Sequence, residues 1–176
     1  MLTEQERKWL EERKHRKAPC GDETHHCVGC LVRCGCSLTP DWIDAAEFAE
    51  RVAHYGNHFW LLFEQGELVA FVDGFCTDMP DLTDEMYENA AMHNEDGAWQ
   101  MIFGVNTLPE YRKHGYAGQL LRRAIDDARQ QHRKGLVLTC KESLLPYYAQ
   151  FGFRDEGVSD KSTHGNVVWH QMRLEF

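Results

Sequence analysis

Apolar residues are spread unevenly along this chain, and their spacing divides it into segments with different expected structures. The run WQMIFGVNTL at 99–108 is almost continuously apolar or small, as in a strand buried on both faces, and Pro109 ends it. From about Gly115 to Arg133 the chain places Leu120, Leu121, Ala124, Ile125 and Ala128 at the spacing of one helix face, and Gly135 stops that helix. LVLTC at 136–140 reads as a short buried strand. Upstream, HFWLLFEQG and ELVAFVDGFCT are strand-like runs that meet at Gln65-Gly66, a hairpin signal. Thr39 and Pro40 open a further helix that Gly56 closes. Residues 2–17 are good helix formers with an acidic start and a basic end. The polar stretch 79–97 is expected to be partly helical. SLLPYYAQFG reads as a short helix, and FRDEGVSDK and NVVWHQMRLEF as a closing antiparallel pair. The order helix, hairpin, strand, helix, strand, helix, two strands predicts an α/β fold with helices on a mixed central sheet.

Composition narrows the function classes. The 176 residues suffice for a domain with a substantial core. Lys and Arg number 19 against 28 Asp and Glu, a net charge of −9. An acidic chain lacks the positive surface that displaces counterions from nucleic acid. The basic run Arg13, Lys14, Arg16 and Lys17 lies among acidic neighbours and reads as a solvated helix face. No apolar run approaches the ~20 residues of a membrane span. The opening MLTEQERKWLEERKHRK is too charged for a signal peptide, so the expected compartment is cytoplasmic. There the seven cysteines would be thiols or metal ligands rather than disulfides.

Five of those cysteines crowd into residues 20–36. Cys20, His25, His26, Cys27, Cys30, Cys34 and Cys36 could supply a tetrahedral metal site, and Cys27-x-x-Cys30 has zinc-knuckle spacing. A zinc ribbon, however, repeats its pair after a longer loop. The default reading is reduced thiols with no metal; structural zinc and an iron–sulfur cluster stay open as alternatives.

The most informative stretch is YRKHGYAG at 111–118, between the expected strand and the long helix. A helix start with glycine at its head presents free N–H groups and the positive end of a dipole, which together favour an anion. Gly115 permits close backbone approach, Ala117 is small, and Arg112, Lys113 and His114 add positive potential. The chain has neither a Walker motif nor Gly-x-Gly-x-x-Gly, so the ligand is neither a P-loop nucleotide nor a dinucleotide. Taken alone, the loop reads equally well as a solvated basic turn. A second signal lies downstream in CKESLLPYYAQFGF. Arg112, Gly115 and Ala117, followed after a strand by Tyr148, Gly152 and Phe153, resemble the GNAT superfamily of acyl-CoA-dependent N-acetyltransferases. Residues 39–176 are most similar to its arylalkylamine N-acetyltransferase branch and bacterial relatives. The resemblance implies a GNAT-type mixed sheet over 39–176. Residues 1–38, an N-terminal helix followed by the Cys/His-rich segment, stand where the family has its first strand and helix.

The same resemblance implies acetyl-CoA as cosubstrate and the amine of a small molecule as acceptor. The main chain of Val105, Asn106 and Thr107 would hold the pantetheine arm. The N–H groups of Lys113, His114, Gly115, Tyr116, Ala117 and Gly118 would hold the diphosphate. The Val105 N–H would face the developing oxyanion, and Tyr148 would protonate the leaving thiolate. Tyr147 is the tyrosine expected in the core. Met101 and Phe103 stand where the arylalkylamine enzymes carry two histidines, which leaves His93, Glu95 and Glu142 as candidate bases. Cys140 and Cys76 read as core thiols. The acidic stretch Asp78 to Asp96 could gather cationic amines. Two rival readings remain: a catalytically degenerate acyl-CoA sensor, and an interaction module centred on the Cys/His segment.

Overall fold

The computed structural model describes residues 45–163 and 167–176, together with Glu4 and Lys8. The Cys/His-rich segment, the helix start at Thr39 and Pro40, and the rest of the helix expected over 2–17 lie outside the described residues. The first element is helix α1 (Ala45–Tyr55), which ends at Gly56 as expected. Strands β1 (Phe59–Glu64) and β2 (Glu67–Asp73) form the expected hairpin. Its two turn residues, Gln65 and Gly66, both have positive φ, 49° and 87°. That backbone matches the right-handed twist of the flanking strands. The chain then crosses to a second sheet through β3 (Cys76–Thr77). The polar stretch that follows contains a short α-helix, α2 (Asp84–Glu88), and a 3-10 turn at Ala90–Met92.

The expected strand 99–108 is divided into two, β4 (Trp99–Ile102) and β5 (Gly104–Thr107). After it come helix α3 (Tyr116–Gln130), strand β6 (Gly135–Cys140), helix α4 (Leu145–Ala149), and strands β7 (Arg154–Val158) and β8 (His170–Glu175). One sheet runs β1-β2-β5 and the other β3-β4-β6-β8-β7. The β4–β6 pair is parallel, and the other described pairs are antiparallel.

Strand alternation sends side chains to two cores. Val137, Phe71 and Met101 pack with Val52, Tyr55, Phe75 and Met86 beneath α1 and α2. Leu136, Leu138, Val72 and Ile102 pack on the opposite face with Leu120, Leu121, Ala124 and Ile125 of α3 and with Phe153. Burial of each large aliphatic side chain on α3 contributes roughly 2 kcal/mol. Trp60 ties that helix to β1 by donating its indole N–H to Asp127 at 2.7 Å. The result is a sheet layer with helices on both faces.

Candidate active site

The division of the long strand creates the site. The parallel ladder of β4 and β6 ends at Ile102 opposite Leu138. Beyond it the chain changes partner, and β5 pairs only with β2 among the described strands. Gly104 pairs with Asp73, whose carbonyl also accepts the N–H of the preceding Phe103 at 2.9 Å. Among the described residues, β5 is therefore unpaired with the last residues of β6, Thr139 and Cys140, which leaves a gap between them.

Hydrogen-bond alternation fixes which groups face this gap. The Leu108 N–H donates to Val69 O at 2.9 Å, so Leu108 and, two residues back, Asn106 are the positions bonded to β2. The N–H and C=O groups of Val105 and Thr107 then point the other way, into the gap. The Thr107 carbonyl accepts from Arg112 Nε at 3.3 Å on that side. Of the three residues expected to hold the pantetheine arm, Val105 and Thr107 turn their main-chain groups away from β2, whereas Asn106 spends its main chain on Phe71.

The loop after β5 contains two residues with left-handed backbone. Lys113 has φ of 64° and Gly115 φ of 82°, and Gly115 caps α3 without a side-chain bond. The first helical bond to Gly115 O comes from the Gln119 N–H, which leaves Tyr116, Ala117 and Gly118 with N–H groups that have no partner within the helix. Arg112, Lys113, His114 and Gly115 are exposed. Tyr116 and Tyr111 anchor the loop to the β1–β2 hairpin by donating to Glu64 at 2.5 Å and Glu67 at 3.3 Å. Gly118 lies against the Phe151 ring, where an added Cβ would come within 3.1 Å. The start of α3 is thus packed directly on the segment that carries Tyr148.

Tyr148 sits on α4, just beyond the end of β6, and is 7% exposed. Its neighbour Tyr147 is only half-buried, the reverse of the expected assignment, and the two rings meet edge to face at 5.1 Å. A helix of five residues is too short for its periodicity to settle which tyrosine faces inward. Burial, with Cys140, Tyr147 and Tyr87 nearby, pushes the Tyr148 phenol well above its ordinary pKa. The phenol is protonated at neutral pH. Cys140 and Cys76 are buried thiols, pushed up by burial to about 11 and about 12. Neither has the thiolate character of a nucleophile.

The wall of the gap on the α1 side contains groups that the sequence reading missed. Phe103 packs on Phe75 at 4.8 Å and on Tyr87 at 4.9 Å, and Met101 is fully buried. Beside them Asp73 and Arg51 form an ion pair at 3.4 Å, with side chains 3% and 5% exposed. Burial pushes Asp73 up to about 6, even though Arg51 and the Gly104 N–H favour its charged form. Tyr87 and Thr139 hydrogen-bond through their hydroxyls at 3.1 Å, so a polar pair sits at the divergence of the strands. A carboxylate ending an apolar strand, as in VAFVD, was the only local sign of this arrangement. His93 and Glu95 gather at the other end of the sheet, by the start of β4, and are not brought to Tyr148. Gly135 beside that start and Cys140 beside Tyr148 are five residues apart along β6, about 16 Å. Glu142 is exposed in the turn that follows β6.

A model of the Acetyltransferase (GNAT) family matches residues 34–153, more than half of the chain. This chain belongs to the GNAT acetyltransferase family. The serotonin N-acetyltransferase of Mesocricetus auratus is 31% identical to it over 96 residues, 54% of this chain and 45% of that protein. The chain thus matches less than half the length of this GNAT relative. Among solved structures, the loading GNATL domain of CurA from Lyngbya majuscula superposes with a TM-score of 0.65 at 16% identity, covering 80% of this chain and 87% of that domain. The GphF GNAT-like decarboxylase in complex with isobutyryl-CoA gives 0.64 at 17%, covering 83% and 92%. At these identities the likeness is one of GNAT fold. No helix among the described residues is long and apolar enough to cross a membrane.

Proposed function

We propose that the chain transfers an acetyl group from acetyl-CoA to the amine of a small-molecule acceptor by direct attack. The observation that carries this reading is the open edge of β5, with the anion-ready start of α3 at one end of the gap and Tyr148 across it. In this reading the pantetheine arm lies along Val105 and Thr107 and completes their hydrogen bonds. The diphosphate lies on the N–H groups of residues 113–118, with Arg112, Lys113 and His114 around it. The Val105 N–H, aimed into the gap, stabilises negative charge developing on the thioester oxygen. Tyr148 gives its proton to the departing thiolate, and the proton released by the attacking amine passes to water, from which the phenolate is reprotonated. The acceptor amine approaches from the side of Phe103, Tyr87 and Thr139. Resemblance to a serotonin N-acetyltransferase supports an amine acceptor, and the isobutyryl-CoA complex of the GphF neighbour supports an acyl-CoA ligand.

The test is release of free CoA thiol from acetyl-CoA with a panel of primary amines. Turnover with at least one amine is expected, and Tyr148→Phe should lower kcat about tenfold or more at unchanged acetyl-CoA affinity. Tight acetyl-CoA binding without turnover on any amine would favour the sensor reading, which the absence of histidine at Met101 and Phe103 supports. Absence of acetyl-CoA binding would defeat both.

A further inference from the structure

We propose that His58, His93 and Glu95 form a site for a zinc-class divalent cation at the start of β4. Their ligand atoms lie within 4.8 Å of one another. His58 Nε2 and His93 Nε2 stand 3.1 and 3.2 Å from Glu95 Oε2. Tetrahedral zinc with ligands at about 2.0–2.1 Å places them about 3.3 Å apart, so both spacings suit one ion. Two imidazoles and a carboxylate are a donor set that zinc accepts.

The surroundings orient His58 as a ligand. The Gln100 amide nitrogen donates to Phe75 O at 3.1 Å and Met101 O at 2.9 Å, which fixes its oxygen toward His58. His58 Nδ1 lies 2.8 Å from that oxygen and must be the donor. The neutral ring then turns a bare Nε2 lone pair toward the Glu95 carboxylate. Two acceptors face each other at 3.1 Å, and a positive charge between them resolves the conflict. His58 is 1% exposed, so its ring is held in place by the surrounding core. An imidazole held by an acceptor at its far nitrogen is the usual support for a metal-binding histidine. Arg133 braces the loop that supplies the carboxylate, donating to Gly97 O at 2.5 Å and Glu95 O at 3.0 Å. The Glu95 side chain is 58% exposed, so an ion can arrive from solvent and keep a water ligand.

His93 needs one rearrangement. Its Nδ1 accepts the Cys76 N–H at 3.2 Å, so its Nε2 carries the proton and donates to Glu95. Cation binding moves that proton to Nδ1, and the Cys76 contact is given up. The ring stays neutral throughout. The ion would tie the segment carrying His93 and Glu95 to the start of β1.

Zinc titration of the full chain by calorimetry tests this, with Glu95→Gln and His93→Gln as comparators. Any zinc held by Cys20–Cys36 is common to all three proteins. The unaltered chain should bind one equivalent more than either variant, or bind that equivalent at least tenfold tighter. Because Glu95 is largely exposed, Glu95→Gln is expected to stay folded, which a thermal melt checks. Cobalt(II) in place of zinc should show a visible-band component that both variants lose. Equal stoichiometry and affinity in all three proteins would overturn the proposal, as would nitrogen NMR showing His58 doubly protonated at neutral pH with zinc present.

Discussion

Gly104 is the residue on which the shape of the gap depends most directly. A Cβ built there would lie 2.4 Å from Asp73 Oδ1 and 2.8 Å from Asn106 Nδ2. Ordinary contacts begin near 3.4 Å, so Gly104→Ala forces a displacement of about 1 Å. Asn106 offers only a side-chain tip, which can swing away. Asp73 cannot, because it is 2% exposed and paired with Arg51 at 3.4 Å. Either the ion pair opens or β5 moves outward. Overpacking of this kind costs about 1–3 kcal/mol. For a chain of this size that lowers Tm by about 2–12 °C. The larger effect should fall on turnover: β5 carries the Val105 N–H, and a misplacement of about 1 Å at a reacting centre costs on the order of 100-fold. Gly115→Ala is the comparator. It meets nothing within 4 Å, and its penalty is the left-handed φ of 82°, about 1–2 kcal/mol. Thiol-release kinetics and thermal melts on both variants separate the two cases. Gly104→Ala should lose kcat, whereas Gly115→Ala should mainly raise the KM for acetyl-CoA. In an Asp73→Ser background the added methyl has room, so its further cost should shrink. Normal kcat and Tm in Gly104→Ala would refute the claim that this contact sets the gap.

Leu121→Ala should cost about 2–5 kcal/mol in urea unfolding, because Leu121 is fully buried in the core under α3; a loss below 1 kcal/mol would mean that core collapses around the void. Acid stability should depend on the cluster joining Asp81 to β7 and β8. Lys161 holds Asp81, and Arg173 holds Glu156, below their ordinary values of 3.8 and 4.5. The unfolded chain takes up these protons first, so the contribution is full above the unfolded pKa values and disappears as pH falls through the folded ones. Urea midpoints measured from about pH 6 down to about pH 2 should fall less steeply for Asp81→Asn than for the unaltered chain, and parallel slopes would count against the assignment.

Much of the fold was legible because local signals agreed with it. Gln65-Gly66 specified the hairpin, the spacing from Leu120 to Ala128 specified α3, and Gly115 marked where its free N–H groups begin. What escaped the sequence was decided by competition between distant partners. Nothing in WQMIFGVNTL says that residues after Ile102 leave β6 for β2, because both ladders accept the same apolar strand. The crossing at Gly74 into a second sheet was hidden for the same reason. Arg51 and Asp73 are 22 positions apart, and His58 and Glu95 are 37 apart, so only the folded chain shows them as pairs. Loop and tyrosine were read from a family pattern. The Asp73, Tyr87 and Thr139 side of the gap, where that pattern's histidines are replaced by Met101 and Phe103, had no such guide.

A strand with one ladder left vacant by the described residues is an unfinished piece of architecture. If a thioester cofactor occupies the Val105–Thr107 edge, it serves as a surrogate strand as well as a reactant, and saturation couples to folding stability by mass action: about 2.7 kcal/mol at a ligand concentration 100 times Kd. Starved of cofactor, the same edge is a template on which another chain can dock. Cofactor supply would then govern both the melting temperature of this protein and its tendency to self-associate.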